Sequence, residues 1–155
     1  MIELHSKTKI LLVDDNPADV RLLLEAFREL NADVSVRVAK GGAEALKTVY
    51  DAESQTFWQP DLISLDLNLP KLNGHEVLAR LKNDPSKCQI PVIILSSSQA
   101  DSEIGRAYDA HANAYVRKPT TLDGLLSAVR GLQAFWMETA RLPRISKPVA
   151  QSKYN

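Results

Sequence analysis

Short apolar runs alternate with amphipathic helical patterns along most of this chain, and this alternation constrains its fold more than any other feature. Each run is too short for a helix, and its valine, isoleucine and leucine residues are typical of buried strands. The runs lie at 9–13, 34–38, 62–65, 92–95 and 114–116. Strands that alternate with helices predict parallel pairing with right-handed crossovers. We therefore expect an α/β fold, a doubly wound five-stranded parallel sheet with five helices.

Residues that favour helix ends separate these runs. Asn16 followed by Pro17 is typical of a helix start, and Thr121 is placed to cap the last helix. In a fourth helix, predicted from about 99 to 110, three residues at helical spacing are expected to face inward: Ile104, Ala107 and Tyr108. The core-facing stripe of a long last helix is predicted to consist of Leu122, Leu125, Leu126, Val129 and Leu132.

Size and charge exclude several classes of protein. The 155 residues suffice for one domain with a sizeable core. The 19 Lys and Arg residues balance 19 Asp and Glu residues, which removes the basic excess expected of a nucleic-acid binder. No apolar run reaches the roughly 20 residues of a membrane span, and a lone Cys88 can form no intramolecular disulfide. We expect a soluble cytoplasmic protein with no membrane partner and no direct nucleic-acid partner.

The end of the chain differs in composition from the rest. After Glu138 there are only bases among the charged residues: Arg141, Arg144, Lys147 and Lys153. Pro143 and Pro148 interrupt this segment, which has neither a helical nor a strand period. We expect a flexible basic tail over 140–155.

Polar residues close the predicted strands. Asp14 and Asp15 end the first, Asp66 ends the third, Ser96 ends the fourth, and Lys118 follows the fifth after one Arg. Ligands of parallel sheets bind outside the carboxyl ends of the strands, so these side chains are expected to converge. Carboxylates that lie close together need a cation, and oxygen ligands favour Mg²⁺. With Lys118 as a second positive charge, the sequence predicts a phosphoryl-sized pocket in which one carboxylate is free to attack.

Four motifs in this order resemble the receiver domain of two-component response regulators, the CheY-like fold. They are Leu11-Leu12-Val13-Asp14-Asp15, then Asp66-Leu67-Asn68-Leu69-Pro70 with Gly74 four residues later, then Val92 to Ser97, then Tyr115-Val116-Arg117-Lys118-Pro119. The resemblance places a receiver domain at 8–139 and implies the flavodoxin-like strand order 2-1-3-4-5.

The resemblance also implies roles for the strand-end residues. Asp66 would accept a phosphoryl group from a phosphohistidine of a sensor histidine kinase. Asp15, Asp66 and the backbone carbonyl of Asn68 would hold Mg²⁺, or Mn²⁺ in its place, with Asp14 assisting through water. Such a protein is a phosphoacceptor in signalling, with metal-dependent self-phosphorylation and dephosphorylation chemistry, rather than an enzyme.

The resemblance also implies which residues would contact the phosphoryl oxygens and which would change position on phosphorylation. Lys118 and Ser96 would contact the phosphoryl oxygens. Ser96 would move toward them while Tyr115 rotates inward behind it. The peptide bond between Lys118 and Pro119 would be cis, an isomer that proline makes accessible.

Three residues depart from the usual receiver pattern. His111 stands where a glycine is common, Ser96 replaces a more frequent threonine, and Arg117 occupies a position where smaller residues are frequent. None of the three belongs to the acidic pair or replaces Lys118, so the phosphoryl chemistry is retained. His111 lies in the predicted turn before the fifth strand, so this substitution affects the conformation expected of that turn.

The end of the domain is similar to single-domain regulators that serve bacterial phytochrome kinases. The similarity lies in the stretch 132–138 followed by Leu142-Pro143. It implies a phytochrome-type sensor kinase as partner, and the downstream protein partner stays unknown. Phe135 and Trp136 continue beyond the core-facing stripe, and we expect them to form an exposed patch that pairs two copies in a homodimer.

The sequence disfavours other functions for this set of residues. A haloacid-dehalogenase-type phosphatase needs a second aspartate two residues after the nucleophile, where this chain has Asn68. A nucleotide- or flavin-binding domain would need a glycine-rich phosphate loop, and neither GxGxxG nor GxxxxGK[ST] occurs. A receiver-like adaptor that works without phosphorylation stays open, although the intact acidic set disfavours it.

Overall fold

Five parallel strands form one sheet in the computed structural model, which describes residues 7–51 and 58–143. The strands are β1 (Thr8–Val13), β2 (Val34–Ala39), β3 (Leu62–Leu65), β4 (Val92–Ser96) and β5 (Ala114–Arg117). Their spatial order is β2-β1-β3-β4-β5, with β1 paired on one side with β2 and on the other with β3. The predicted fold class and the predicted strand order are both confirmed.

Helices connect successive strands. They are α1 (Pro17–Glu29), α2 (Gly42–Tyr50), α3 (Gly74–Asn83), α4 (Asp101–Asp109) and α5 (Leu122–Leu132). The carboxamide oxygen of Asn16 accepts the N–H of Ala18 at 2.9 Å, and the Thr121 hydroxyl accepts the N–H of Gly124 at 3.0 Å. Both predicted helix caps therefore satisfy backbone donors that have no partner inside the helix.

Alternate residues of the strands supply two separate cores. Ile10 and Leu12 of β1 belong to the core beneath α1 and α5, whereas Leu11 and Val13 belong to the core beneath α2 and α3. All four are essentially inaccessible to water, which is expected when helices cover both faces of a parallel sheet. The cores fix the sheet, and the sheet fixes the positions of the residues that follow each strand.

The last helix does not continue as a regular α-helix to its end. From Gln133 to Thr139 the chain is π-helical, with the Thr139 hydroxyl donating to the Ala134 carbonyl at 2.7 Å. Trp136 packs against the core beneath α1 and α5, while 53% of Phe135 is exposed. Their rings meet edge to face with centroids 5.0 Å apart. The predicted patch of two exposed aromatics is thus a single exposed ring backed by a half-buried one.

Two residues predicted to face the core are exposed. Tyr108 is 48% exposed because its hydroxyl lies at the sheet edge, where it accepts the N–H of Tyr115 on β5 at 3.1 Å. Leu122 is 45% exposed because it stands in the first turn of α5, beyond the end of the sheet. Ala107, Leu125 and Val129 are buried as predicted.

Two local backbone predictions have different outcomes. No cis peptide bond occurs among the described residues, so the predicted cis bond between Lys118 and Pro119 is wrong, and that bond has the trans form that proline intrinsically favours. His111 adopts a φ of 69°, and its N–H donates to the Tyr108 carbonyl at 2.9 Å. This left-handed conformation explains why a glycine is common at the position.

The predicted basic tail lies mostly outside the described residues. Ala140 to Pro143 form no helix or strand, and 144–155 fall beyond the described part of the chain. The boundaries 8–139 and 140–155 remain predictions. Among the described helices, none is both long and apolar enough to span a bilayer.

Candidate functional site

Three carboxylates meet at the carboxyl edge of the sheet. Asp14 and Asp15 follow β1, Asp66 follows the neighbouring β3, and one oxygen of each lies within 4.8 Å of the others. Asp14 and Asp66 are buried, whereas Asp15 is exposed. The donor set consists of oxygens alone, which suits a hard divalent cation such as Mg²⁺ or Mn²⁺. The residues present therefore fit the metal that the sequence predicts.

Lys118 brings a positive charge into this acidic set. Its Nζ lies 2.8 Å from Asp14 Oδ2 and donates to Asp66 Oδ2 at 3.0 Å. A third contact of 2.9 Å joins it to Asp19 Oδ2 in the first turn of α1. Its backbone is also fixed, since the N–H of Lys118 donates to the Ser96 carbonyl at 2.7 Å. One ammonium thus bridges elements that are far apart in the sequence.

Burial and charge act in opposite directions on these groups. Burial raises the pKa of the Asp14 carboxyl, and the hydrogen bond from Lys118 opposes that rise only in part. Burial alone would lower the pKa of the Lys118 ammonium, but hydrogen bonds to Asp14, Asp19 and Asp66 outweigh it and raise that pKa above its ordinary value. Lys118 is therefore a permanent cation at physiological pH.

Local backbone geometry orients Asp66. Its Oδ1 accepts the N–H of Asn68 at 3.0 Å, so both carboxylate oxygens have a defined donor. A side chain at Gly74 would collide with the Asp66 carbonyl oxygen and with the Cα of Leu67. The glycine after Pro70 is thus explained by the close passage of α3 over the loop that carries Asp66.

Ser96 and Tyr115 lie on the paired strands β4 and β5, where Tyr115 is opposite Ile94, two residues before Ser96. Ser96 is fully buried, and its Oγ accepts the N–H of Ser98 at 3.4 Å. The half-buried Tyr115 donates its hydroxyl to the Ser98 carbonyl at 2.9 Å. Both predicted switch residues therefore contact the same residue of the loop between β4 and α4. Within the described part of the chain, Ser96 Oγ makes no hydrogen bond to the three carboxylates.

Sequence reasoning missed Asp19. The signal was present, because an acidic side chain three residues after the Asn16 cap lies at a helix N-terminus beside the predicted pocket. No local pattern links Asp19 to Lys118, because the two residues are 99 positions apart in the sequence. Phe135 and Trp136 lie in the π-helical segment at the far end of α5 and take no part in the acidic site.

A comparison with known protein families finds a match to the response regulator receiver domain over residues 10–130. This chain belongs to that receiver family. It is a response regulator, as its motifs predicted.

Individual receivers resemble it over nearly their whole length. The response regulator Rcp1 of Synechocystis sp. is 38% identical over 135 residues, with 86% of this chain and 92% of that protein covered. The phosphorylated cyanobacterial phytochrome response regulator RcpA superposes with a TM-score of 0.82 at 42% identity, covering 89% of this chain and 99% of that one. The Mn²⁺-bound form of Rcp1 gives a TM-score of 0.80 at 36% identity, covering 88% and 99%.

Proposed function

We propose that this receiver accepts a phosphoryl group on Asp66 from the phosphohistidine of a sensor histidine kinase. Asn68 N–H and Lys118 Nζ bind the two oxygens of Asp66, and Asn16 N–H and Lys118 Nζ bind those of Asp14 in the same way. The choice of Asp66 is therefore supported by its place in the receiver motif, directly after β3, in a chain that matches the receiver family. Asp14 and Asp15 precede a different helix and serve the pocket as ligands. A carboxylate held at a strand end beside a cation is oriented for attack on phosphorus.

The transfer exchanges one bond to phosphorus for another. A carboxylate oxygen of Asp66 forms the new P–O bond while the P–N bond to the kinase imidazole breaks, and the electron pair stays on that nitrogen. Lys118 would donate to a phosphoryl oxygen, and Ser96 would supply a hydroxyl donor from β4.

The carboxylates define where a divalent cation would bind. Asp15, Asp66 and the backbone carbonyl of Asn68 would hold it directly, with Asp14 through water. Bound there, Mg²⁺ or Mn²⁺ supplies charge neutralisation between an anionic attacking group and an anionic phosphate. The Mn²⁺-bound form of Rcp1 supports such a site in this family.

Asp14 and Asp19 are proposed as positioning residues for Lys118. The Lys118 ammonium lies 2.8 Å from the carboxylate of Asp14 and 2.9 Å from that of Asp19. These contacts hold a flexible side chain in one place over the pocket, so less conformational entropy is lost when phosphate arrives.

A groove beside Lys118 offers a surface for the kinase. It has a volume of about 360 Å³, and its walls include Leu22 of α1 and Leu122 of α5. Both leucines are substantially exposed, although both are apolar. Because a phosphohistidine must reach Asp66, the kinase surface that carries it must come close to this rim, and the two leucines provide apolar area for that contact.

The output is proposed to pass through the loop between β4 and α4. Movement of Ser96 toward the phosphoryl group would break its bond to the Ser98 N–H and disturb the Ser98 carbonyl that holds Tyr115. The two arrangements exist before phosphorylation, which shifts their populations. The downstream protein partner is unknown.

The kinase is proposed to be of the phytochrome type, acting in the cytoplasm, where ATP is available. The support is the likeness to RcpA, whose own description is a cyanobacterial phytochrome response regulator. A homodimer through the exposed Phe135, backed by Trp136, is part of the same proposal.

The proposed acceptor can be tested with a small phospho-donor. Incubation with acetyl phosphate and Mg²⁺ is expected to add one phosphoryl mass to the protein, and Asp66→Asn is expected to add none. Asp123→Asn, an exposed carboxylate in α5, is the matched control and should behave as the parent. Phosphorylation of Asp66→Asn to the parental level would exclude Asp66 as acceptor.

A further inference from the structure

Tyr115 is bonded to both ends of α4, once through its side chain and once through its backbone. Its hydroxyl donates to the Ser98 carbonyl at 2.9 Å, in the loop that precedes the helix. Its N–H donates to the hydroxyl of Tyr108, the last residue but one of the helix, at 3.1 Å. We propose that Tyr108 is a positioning residue that holds the C-terminal end of α4 against β5 before and after phosphorylation, so that only the start of the helix moves. The proposal rests on the proposed function, in which Ser96 moves and Tyr115 rotates.

The two bonds of Tyr115 respond differently to that rotation. Turning the side chain about its Cα–Cβ bond carries the hydroxyl away from Ser98, but it leaves the backbone N–H in place. The strand β5 is the outermost of the sheet, so the Tyr108 hydroxyl can reach this N–H from the edge. The bond to Tyr108 therefore survives the movement that breaks the bond to Ser98.

Further contacts fix the C-terminal end of α4. Ala107 and Ala112 are both buried in the core beneath α2 and α3. The N–H of Ala112 donates to the Ala107 carbonyl at 3.0 Å, and the N–H of His111 donates to the Tyr108 carbonyl at 2.9 Å. With His111 in the left-handed conformation, this pair of bonds is a Schellman closure of the helix. None of these contacts involves a group that the proposed phosphorylation moves.

The N-terminal end of α4 is held less firmly. Ala100 supplies no side-chain cap, and Asp101 and Ser102 in the first turn are exposed. Gly105 lies in the middle of the helix, where a glycine lowers helix stability. Two hydrogen bonds join the preceding loop to the sheet, both at Ser98, and the proposed movement breaks both.

The helix α4 therefore has one fixed end and one releasable end. When Ser98 is released, residues 97–105 can move while residues 106–112 stay on the sheet. A partner that distinguishes the two arrangements must then contact the first half of α4.

Removing each hydroxyl separately tests this asymmetry without phosphate. The ¹⁵N-labelled full chain and its variants would be followed by amide hydrogen exchange in NMR spectra. Tyr115→Phe copies the release of Ser98, so exchange over 97–105 should become at least about threefold faster while 106–112 and the amide of residue 115 stay unchanged. Tyr108→Phe should instead accelerate exchange at residue 115 and over 106–112 by a similar factor.

The chain offers a matched control in α2. Tyr50 is 42% exposed, close to the 48% of Tyr108, and its hydroxyl donates to Asp84. Tyr50→Phe therefore removes a comparable hydroxyl away from α4, and it should leave exchange over 97–112 and at residue 115 unchanged.

A second measurement follows phosphorylation itself. With excess acetyl phosphate and Mg²⁺, the parent should show amide shifts over 97–105 and none at Tyr115 or over 106–112. In Tyr108→Phe the shifts should extend over 106–112, whereas the phosphoryl mass should appear at the parental rate. If no mass appears, the proposed acceptor chemistry fails, while the exchange data on the unphosphorylated variants still decide the role of Tyr108.

Two results would overturn the proposal. The first is unchanged exchange at residue 115 and over 106–112 in Tyr108→Phe. The second is a Tyr115→Phe variant or a phosphorylated parent in which 106–112 changes as much as 97–105, because both ends of the helix would then move together.

Discussion

The Lys118 ammonium lies 2.8 Å from the carboxylate of Asp14, whose side chain is only 2% exposed. The contact joins the end of β1 to the residue that follows β5, on the far side of the sheet. It also places the cation next to Asp66, so one side chain stabilises the acidic set and stands where phosphate would arrive. A buried acid of this kind depends strongly on its partner.

Removing the cation is expected to lower stability. Lys118→Met leaves Asp14 and Asp66 without their common donor, and we expect the free energy of unfolding to fall by about 1–3 kcal/mol in urea titrations with chelator present. Lys47→Met on the exposed face of α2 is the control and should change stability by no more than about 0.5 kcal/mol. Equal stability of the two variants would show that the contacts of Lys118 carry no net energy.

His75 predicts a pH dependence that is separate from the acidic site. It is 9% exposed, and neither ring nitrogen has a hydrogen-bond partner within the described residues. Burial lowers its pKa, the Arg106 charge lowers it further, and Glu103 opposes the shift. Because the unfolded chain then binds the proton more readily, stability is present above the ordinary value near 6.5 and is lost as pH falls below it.

The variant His75→Leu isolates this contribution. It should lose less stability than the parent between about pH 7 and 5, by at most about 1.4 kcal/mol per pH unit. His111→Asn is the matched control, because it removes an exposed histidine at a position whose positive φ asparagine tolerates. The prediction would be contradicted if the free energy of unfolding changed with pH in the same way for the parent and for His75→Leu.

Two glycine substitutions should have opposite effects. Gly74→Ala forces a methyl group against the Asp66 loop, and it should destabilise the protein by about 1–3 kcal/mol and reduce phosphorylation. Gly105→Ala in α4 meets no described atom within 4 Å, and it should stabilise by about 0.5–1 kcal/mol. Thermal unfolding of both variants beside the parent measures the difference. A stabilising Gly74→Ala would refute the close passage of α3.

Self-association should depend on Phe135. The exposed ring is expected to lie in a homodimer interface, so light scattering should give a dimer mass for the parent and a lower mass for Phe135→Ala. Leu22→Ala removes a comparably exposed apolar side chain from α1 and should leave the mass unchanged. A parent that stays monomeric at high micromolar concentration, with and without phospho-donor, would remove the dimer from this account.

The sequence predicts the sheet well because the relevant signals are local. Each strand is a short apolar run, and four of the five predicted runs are followed by a polar residue whose place at the carboxyl edge follows from parallel pairing. The sequence alone therefore places Asp14, Asp66 and Lys118 together. The strand order came from family resemblance, since no local pattern specifies which strands are neighbours.

The errors concern properties that depend on tertiary context. Helical spacing identifies a common face for Ala107 and Tyr108, but it does not tell where the core beneath that face ends. Helical spacing from Val129 and Leu132 places Trp136 on the core-facing side and Phe135 away from it, so the expectation that both rings are exposed did not follow that spacing. The contact of Asp19 was missed because its partner, Lys118, is far away in the sequence, so that only the folded sheet brings the two together.

Chemical mapping of the acceptor tests the central claim most directly. Borohydride reduces an aspartyl phosphate to homoserine, so the protein would be treated with acetyl phosphate and Mg²⁺, reduced, digested and sequenced by mass spectrometry. The account predicts homoserine at position 66 alone, dependent on Mg²⁺ and absent from Asp66→Asn. Homoserine at position 14 or 15, with an unmodified Asp66, would contradict it.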